Sequence, residues 1–188
     1  MPSPAARARS FAARAAALLA VFAACCPAVG RAAPQVFGWL EWTYIEPAHV
    51  RVKTKLDTGA KTSSIHATDI ELFERDGTRW VRFRVPFSMR VGASDKKRDV
   101  FFERPLVRRV RIKEHDRAPA RRYVVNLDLC IGGITFTTPM TLADRSRFNY
   151  PLLLGRVALQ GRAAVDPAQK YVSAEACASQ SQPATARP

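Results

Sequence analysis

The clearest chemistry in this chain lies in Leu56-Asp57-Thr58-Gly59-Ala60. A carboxylate that follows an alternating strand, with a glycine two residues on, stands where the backbone can come close to a water. Such a group can serve as an acid or a base. Further on, Leu152-Leu153-Leu154-Gly155-Arg156 is a second apolar run, closed by a glycine and a cation. Other chemistries lack their residues. No Gly-x-x-x-x-Gly-Lys-Ser/Thr loop exists to cradle nucleotide phosphates. His49, His66 and His115 are scattered, with no His-Glu-x-x-His and no Cys-x-x-Cys, so the spacing for zinc is missing. His66 therefore reads as a structural neighbour of the loop. No cofactor and no metal are expected.

These residues need a scaffold, and the alternation supplies one. Residues 50–56 alternate apolar and polar, and 71–75 and 80–85 flank Asp76-Gly77, a favoured hairpin pair. Residues 107–113 and 122–131 alternate likewise and are expected to pair across a turn containing Pro119. Gly132-Gly133 leads into a strand at 134–138 that continues past Pro139. Residues 86–104, rich in charge and punctuated by Pro86 and Gly92, read as a long polar loop. One helical stretch runs from about Arg156 to Gln160. Short strands punctuated by Gly and Pro indicate an all-β fold, a small barrel or sandwich.

The chain has 188 residues, with 30 Lys+Arg against 16 Asp+Glu and a formal charge of +14. Residues 1–33 hold four of the arginines and no acid, then an apolar run over 15–24 and a small-residue exit. That is the pattern of a secretory signal peptide. It places the protein in the periplasm or outside the cell, with lipid anchoring through Cys25 as a minor alternative, and leaves no integral membrane segment after signal removal. Residues 34–177 form the expected domain, and 178–188 a low-complexity, disordered tail. Removing the signal leaves +10, and residues 75–122 alone carry that excess with 16 basic and 6 acidic residues. Export argues against nucleic acid as the partner. The basic segment reads either as solvated strand faces or as a face for an acidic polypeptide, anionic glycan or lipid headgroup. Cys130 and Cys177 remain as an even pair, either bridged or as two free thiols.

The longer stretches carry a family likeness. Gly38-Trp39-Leu40-Glu41-Trp42, residues 55–67 around Asp-Thr-Gly, residues 144–156 and Val165-Asp166-Pro167 together resemble the retropepsin-like aspartic protease family. Within it they are similar to the bacterial branch labelled an ATP-dependent zinc protease. The likeness covers about residues 37–172. It implies a small closed or partly closed barrel of the acid-protease type with one short helix after Gly155. It also implies that Asp57 is catalytic, that Thr58, Gly59 and Ala60 form the active-site loop, and that Gly155 and Arg156 support it. Neither the ATP nor the zinc of the label finds its residues here. Leu40 and Lys61 stand where the family usually has arginine, and residues 113–120 lack the expected Asn-Gly turn.

An aspartic protease needs two carboxylates sharing one proton, one acting as base on a water and the other donating to the carbonyl oxygen. This chain holds a single Asp-Thr/Ser-Gly, so the likeness implies a homodimer that pairs Asp57 with its symmetry mate. Thr58 would lock the two loops together. Ala60 offers no hydroxyl to the carboxylate, so one apparent pKa of the pair should be elevated and activity should lie on the acid side of neutral. Lys61 would oppose this if it turned inward. The flap is either the Asp76-Gly77 hairpin or the 86–104 segment, and basic residues beside the cleft would favour acidic peptides. Two other readings stay open: a catalytically weak domain that binds a polypeptide or anionic envelope partner, and a basic adhesive protein in which Asp-Thr-Gly is incidental.

Overall fold

The computed structural model describes residues 33–91, 94–114, 117–173 and Cys177. The expected signal peptide (apart from Ala33), Cys25 and the 178–188 tail lie outside the described residues. The strands are β1 (Gln35–Glu46), β2 (Val50–Leu56), β3 (Ser63–His66), β4 (Thr68–Arg75), β5 (Thr78–Val91), β6 (Ser94–Glu114) and β7 (Arg117–Ile131). They continue with β8 (Ile134–Ala143), β9 (Leu152–Leu154) and β10 (Ala163–Lys170), with the single turn of helix α1 (Arg156–Leu159) before β10.

Six strands close a mixed barrel in the order β1-β2-β9-β3-β8-β7, and the pairs Tyr44↔Cys130, Ile45↔Leu129 and Glu46↔Asp128 bring β7 back onto β1. The alternation seen in the sequence sets the facing. In β2, Val50, Val52, Thr54 and Leu56 are buried while Arg51 and Lys53 are exposed. Burying each large aliphatic side chain is worth about 1.5–3 kcal/mol. Phe37, Ile45, Ile65, Leu127, Leu129, Met140, Leu142, Leu152 and Leu154 fill the interior to the point of full burial. The short β9 is a continuous apolar run because it is inserted between two strands. It lies parallel to β2 (Leu56↔Leu154) and antiparallel to β3 (Ser64↔Leu153). This insertion sets the end of β2, and hence Asp57, beside Gly155 and α1.

Outside the barrel, β10 runs parallel to β1, while β4, β5 and the first half of β6 form an antiparallel extension. Asp76-Gly77 and Gly132-Gly133 are two-residue hairpin loops, and all four residues have positive φ (50°, 70°, 56° and 80°). This is the backbone that matches strand twist, and Asp-Gly and Gly-Gly tolerate it.

Two sequence expectations are corrected. Residues 86–104 are not a loop, since β5 and β6 pair continuously from Trp80↔Pro105 to Val91↔Ser94. Composition hid this because charged and polar residues dominate the stretch, and backbone pairing leaves no hydrophobic signature. The β6–β7 connection is not at Pro119. The strands pair through Ile112↔Ala120 to Glu114↔Arg117, so Pro119 lies within β7. Pro139 lies within β8, as the sequence indicated.

Candidate active site

Asp57 directly follows β2, where its N–H donates to the carbonyl of Leu154 at 2.8 Å. The loop then folds back on the carboxylate. Oδ1 accepts the N–H of Gly59 at 3.0 Å and of Ala60 at 3.2 Å. Oδ2 points the other way, 3.1 Å from Nζ of Lys55. Burial pushes this carboxyl up, but the Lys55 hydrogen bond and charge and the two backbone N–H groups together outweigh burial. The net result lies below the ordinary aspartate value. The elevation expected from the sequence concerned a pair of carboxylates, and a single subunit presents only one aspartyl loop. The cation at the site is Lys55. Lys61 is exposed, and Lys55 is the described residue within ion-pair distance of Asp57. Lys55 was legible in principle, since residues two apart on a strand share a face.

Gly155 and Arg156 hold the loop from behind. The Arg156 N–H donates to the carbonyl of Ala60 at 2.9 Å, and its guanidinium Nη1 donates to the carbonyls of Thr58 (3.0 Å) and Gly59 (2.7 Å). Arg156 is thus a hydrogen-bond anchor on backbone oxygens. Gly155 donates its N–H to Oγ of Ser63 at 3.1 Å. A Cβ on it would sit 2.6 Å from the Thr62 oxygen and 2.9 Å from that of Ala60, so only glycine allows this approach. The Thr58 side chain is exposed.

A second wall comes from the 144–150 loop. The Arg145 N–H donates to Nδ1 of His66 at 2.9 Å. The Arg145 guanidinium donates to Oγ of Ser64 at 2.9 Å and to the carbonyl of Tyr150 at 3.1 Å. His66 therefore pins this loop to β3. Burial, then the charge of Arg122, depresses the Arg145 pKa, and the Asp57 charge partly restores it, so Arg145 lies within electrostatic reach of the site. Among the described residues no three His, Cys, Asp or Glu side chains gather as metal ligands.

Glu41 drew no separate attention in the sequence beyond its place in the Gly38–Trp42 run. Fully buried, it accepts hydrogen bonds from the N–H groups of Gly38 (2.8 Å), Val172 (3.1 Å) and Ser173 (3.3 Å) and from the Ser173 hydroxyl (2.9 Å). An acid inside an otherwise largely apolar strand was the available signal. Cys130 and Cys177 form a disulfide with Cα atoms 6.0 Å apart, which fastens the end of the domain to β7.

The basic segment divides in two. On the β4–β6 extension, Arg75 and Arg82 pair with Glu103, and Arg84 pairs with Asp69 and Asp99. Arg79, Arg108 and Arg109 instead line a hollow of about 470 Å³ with Leu106 and Val107. Arg109, Arg111 and Arg121 line a second of about 340 Å³.

Barrel and loop together define a single acid-protease-type lobe with one aspartyl loop. Over residues 36–176 the chain matches the family described as "RimB-like: Retropepsin-like aspartic endopeptidase RimB", and it belongs to that family. It is 34% identical over 137 residues to a "Probable alpha-L-glutamate ligase" of Desulfotalea psychrophila, covering 72% of this chain and 29% of the relative. A protein of the same name from Shewanella pealeana is 32% identical over 142 residues, covering 74% and 30%. The chain therefore spans less than a third of the length of these curated relatives. Among solved structures it is similar to Lpg0085 of Legionella pneumophila, a protein of unknown function. The TM-score is 0.61 at 34% identity, covering 73% of this chain and 97% of the other.

Proposed function

We propose that this protein is an aspartic endopeptidase that hydrolyses peptide bonds through a water held between Asp57 and Asp57 of a second copy. The observation that carries this reading is the division of labour on the carboxylate. Oδ1 is fixed by the Gly59 and Ala60 N–H groups, while Oδ2 faces away from the loop, and Arg156 and Gly155 brace the whole turn. In the dimer, the ionised carboxylate takes a proton from water as its oxygen attacks the carbonyl carbon. The protonated partner gives its proton to the carbonyl oxygen. Collapse of the tetrahedral adduct sends a proton to the leaving nitrogen as the C–N bond breaks. The exposed Thr58 side chain is free to meet its symmetry mate.

Acidic peptides are the favoured substrates. The arginine-lined hollows support this, and the name of the longer relatives, alpha-L-glutamate ligase, gives it a second support. Equal cleavage of acidic and basic peptides of matched length would count against it. Action in the periplasm or outside the cell is supported by the disulfide, which persists in oxidising compartments. No helix among the described residues is long and apolar enough to cross a membrane.

The test compares wild type with Asp57→Asn, both lacking residues 1–33, on a denatured protein mixture, with sedimentation to read the oligomer. Cleavage lost in the variant while the dimer persists supports the peptidase. Absence of cleavage by either protein supports the second reading, a catalytically weak domain that binds a polypeptide or anionic envelope partner. That reading is favoured by the Lys55 ammonium already occupying Oδ2.

A further inference from the structure

We propose that Lys55 is a brake built into the aspartyl site. Its ammonium caps the outer oxygen of Asp57, and the carboxylate pair becomes competent for catalysis only when acid or withdrawal of the lysine overcomes that cap. The inference rests on the aspartic-peptidase reading and adds a positioning residue to it.

The geometry is specific. Lys55 and Asp57 lie two residues apart at the end of β2, with Nζ 3.1 Å from Oδ2. The neighbours in register with Lys55 are Leu40 on β1 and Leu153 on β9, both apolar. Asp57 is accordingly the described carboxylate within ion-pair distance of this ammonium. Oδ1 is already committed to the Gly59 and Ala60 N–H groups, so Oδ2 is the oxygen left for water and proton, and Lys55 stands on it. The other charges facing Asp57 have different tasks. Arg156 of α1 is spent on the Thr58 and Gly59 carbonyls, and Arg145 of the β8–β9 loop is tied to Ser64 and Tyr150. Lys55 is 41% exposed on a flexible stem, so it can leave without unpacking the barrel.

Two carboxylates sharing one proton carry a single negative charge, and two Lys55 ammoniums add two positive ones. That surplus favours the doubly ionised pair and drives off the proton the mechanism needs. The window in which the pair holds one proton therefore moves to lower pH. Removing the lysine moves it back toward neutral.

The experiment uses wild type, Lys55→Met, Lys55→Arg and Asp57→Asn, each checked for folding by its melting curve. Two readouts are taken: the pH profile of kcat/KM on a peptide substrate, and the pH titration of the Asp57 side-chain carboxyl carbon by NMR. Lys55→Met should displace the profile toward neutral, each pH unit of displacement raising kcat/KM on its alkaline limb about tenfold. It should also raise the Asp57 titration midpoint, whereas Lys55→Arg keeps both near wild type. An unmoved profile and an unmoved midpoint in Lys55→Met overturn the brake. If Asp57→Asn is then inactive while wild type cleaves, the peptidase reading survives without it. If no variant cleaves at any pH, the peptidase reading fails, and the titration alone decides the cap: a raised midpoint upholds it and an unmoved one overturns it.

Discussion

Gly155→Ala tests how the aspartyl loop is held. A Cβ at this position lies 2.6 Å from the carbonyl oxygen and 2.8 Å from the carbonyl carbon of Thr62, and 2.9 Å from the oxygen of Ala60. All three are backbone atoms, so no rotamer change relieves the clash, and strand and loop must part by about half an ångström or more. Overpacking of this kind costs about 1–3 kcal/mol. At about 2–4 °C per kcal/mol for a chain of this size, a cost of about 2 kcal/mol lowers Tm by about 4–8 °C. The same displacement pulls on the Ala60 carbonyl, which accepts the Arg156 N–H, and so on the loop whose N–H groups hold Asp57. Gly59→Ala is the matched control. Its Cβ meets only Oδ1 of Asp57, at 3.2 Å, and its backbone lies outside the left-handed region. It should melt within about 2 °C of wild type yet lose peptide cleavage, because the carboxylate is what has to move. Thermal unfolding by circular dichroism, with a cleavage assay alongside, separates the two. A Gly155→Ala protein that melts with wild type would refute the claim that backbone contact fixes this loop.

Two further outcomes follow from the described contacts. Reducing the Cys130–Cys177 bond, or replacing both cysteines by serine, opens a 47-residue loop. Urea unfolding should then show a loss of about 4 kcal/mol on the chain-entropy account. The Asp57 carboxyl lies below its unfolded value in the folded subunit. Its stabilisation is therefore present above the unfolded carboxylate range and is lost as pH falls through the folded value. On acidification below about pH 4, wild type should lose more stability than Asp57→Asn. With Lys55 41% exposed, the difference should shrink in high salt, and a salt-independent difference would exclude the Lys55 pair as its source.

Much of the barrel was legible because its strands bury one face and expose the other. Residues 50–56 and 122–131 announce themselves by alternation, and β9 by an unbroken apolar run before a glycine. The β5–β6 ladder was not legible between Pro86 and Arg104, since backbone pairing leaves no signature in a stretch of charged and polar composition. The turn of the β6–β7 hairpin was misplaced for a related reason. Pro119 looks like a breaker, but a proline is tolerated in a strand at positions that need no donor to the ladder.

The sequence by itself determined the residues of the candidate site: one Asp-Thr-Gly loop, a hydrophobic-Gly-Arg run, and no spacing suited to zinc or nucleotide phosphates. Those are properties of residue type and local spacing. Only the tertiary structure decided what surrounds the carboxylate. It brought Arg156 onto the loop carbonyls from a hundred residues away, set Arg145 beside the site through His66 and Ser64, and buried Glu41 among four donors. It also gave Asp57 a lysine on its outer oxygen. Each of these depends on barrel closure and strand register, which bring distant segments within hydrogen-bonding range, and local spacing does not encode that proximity.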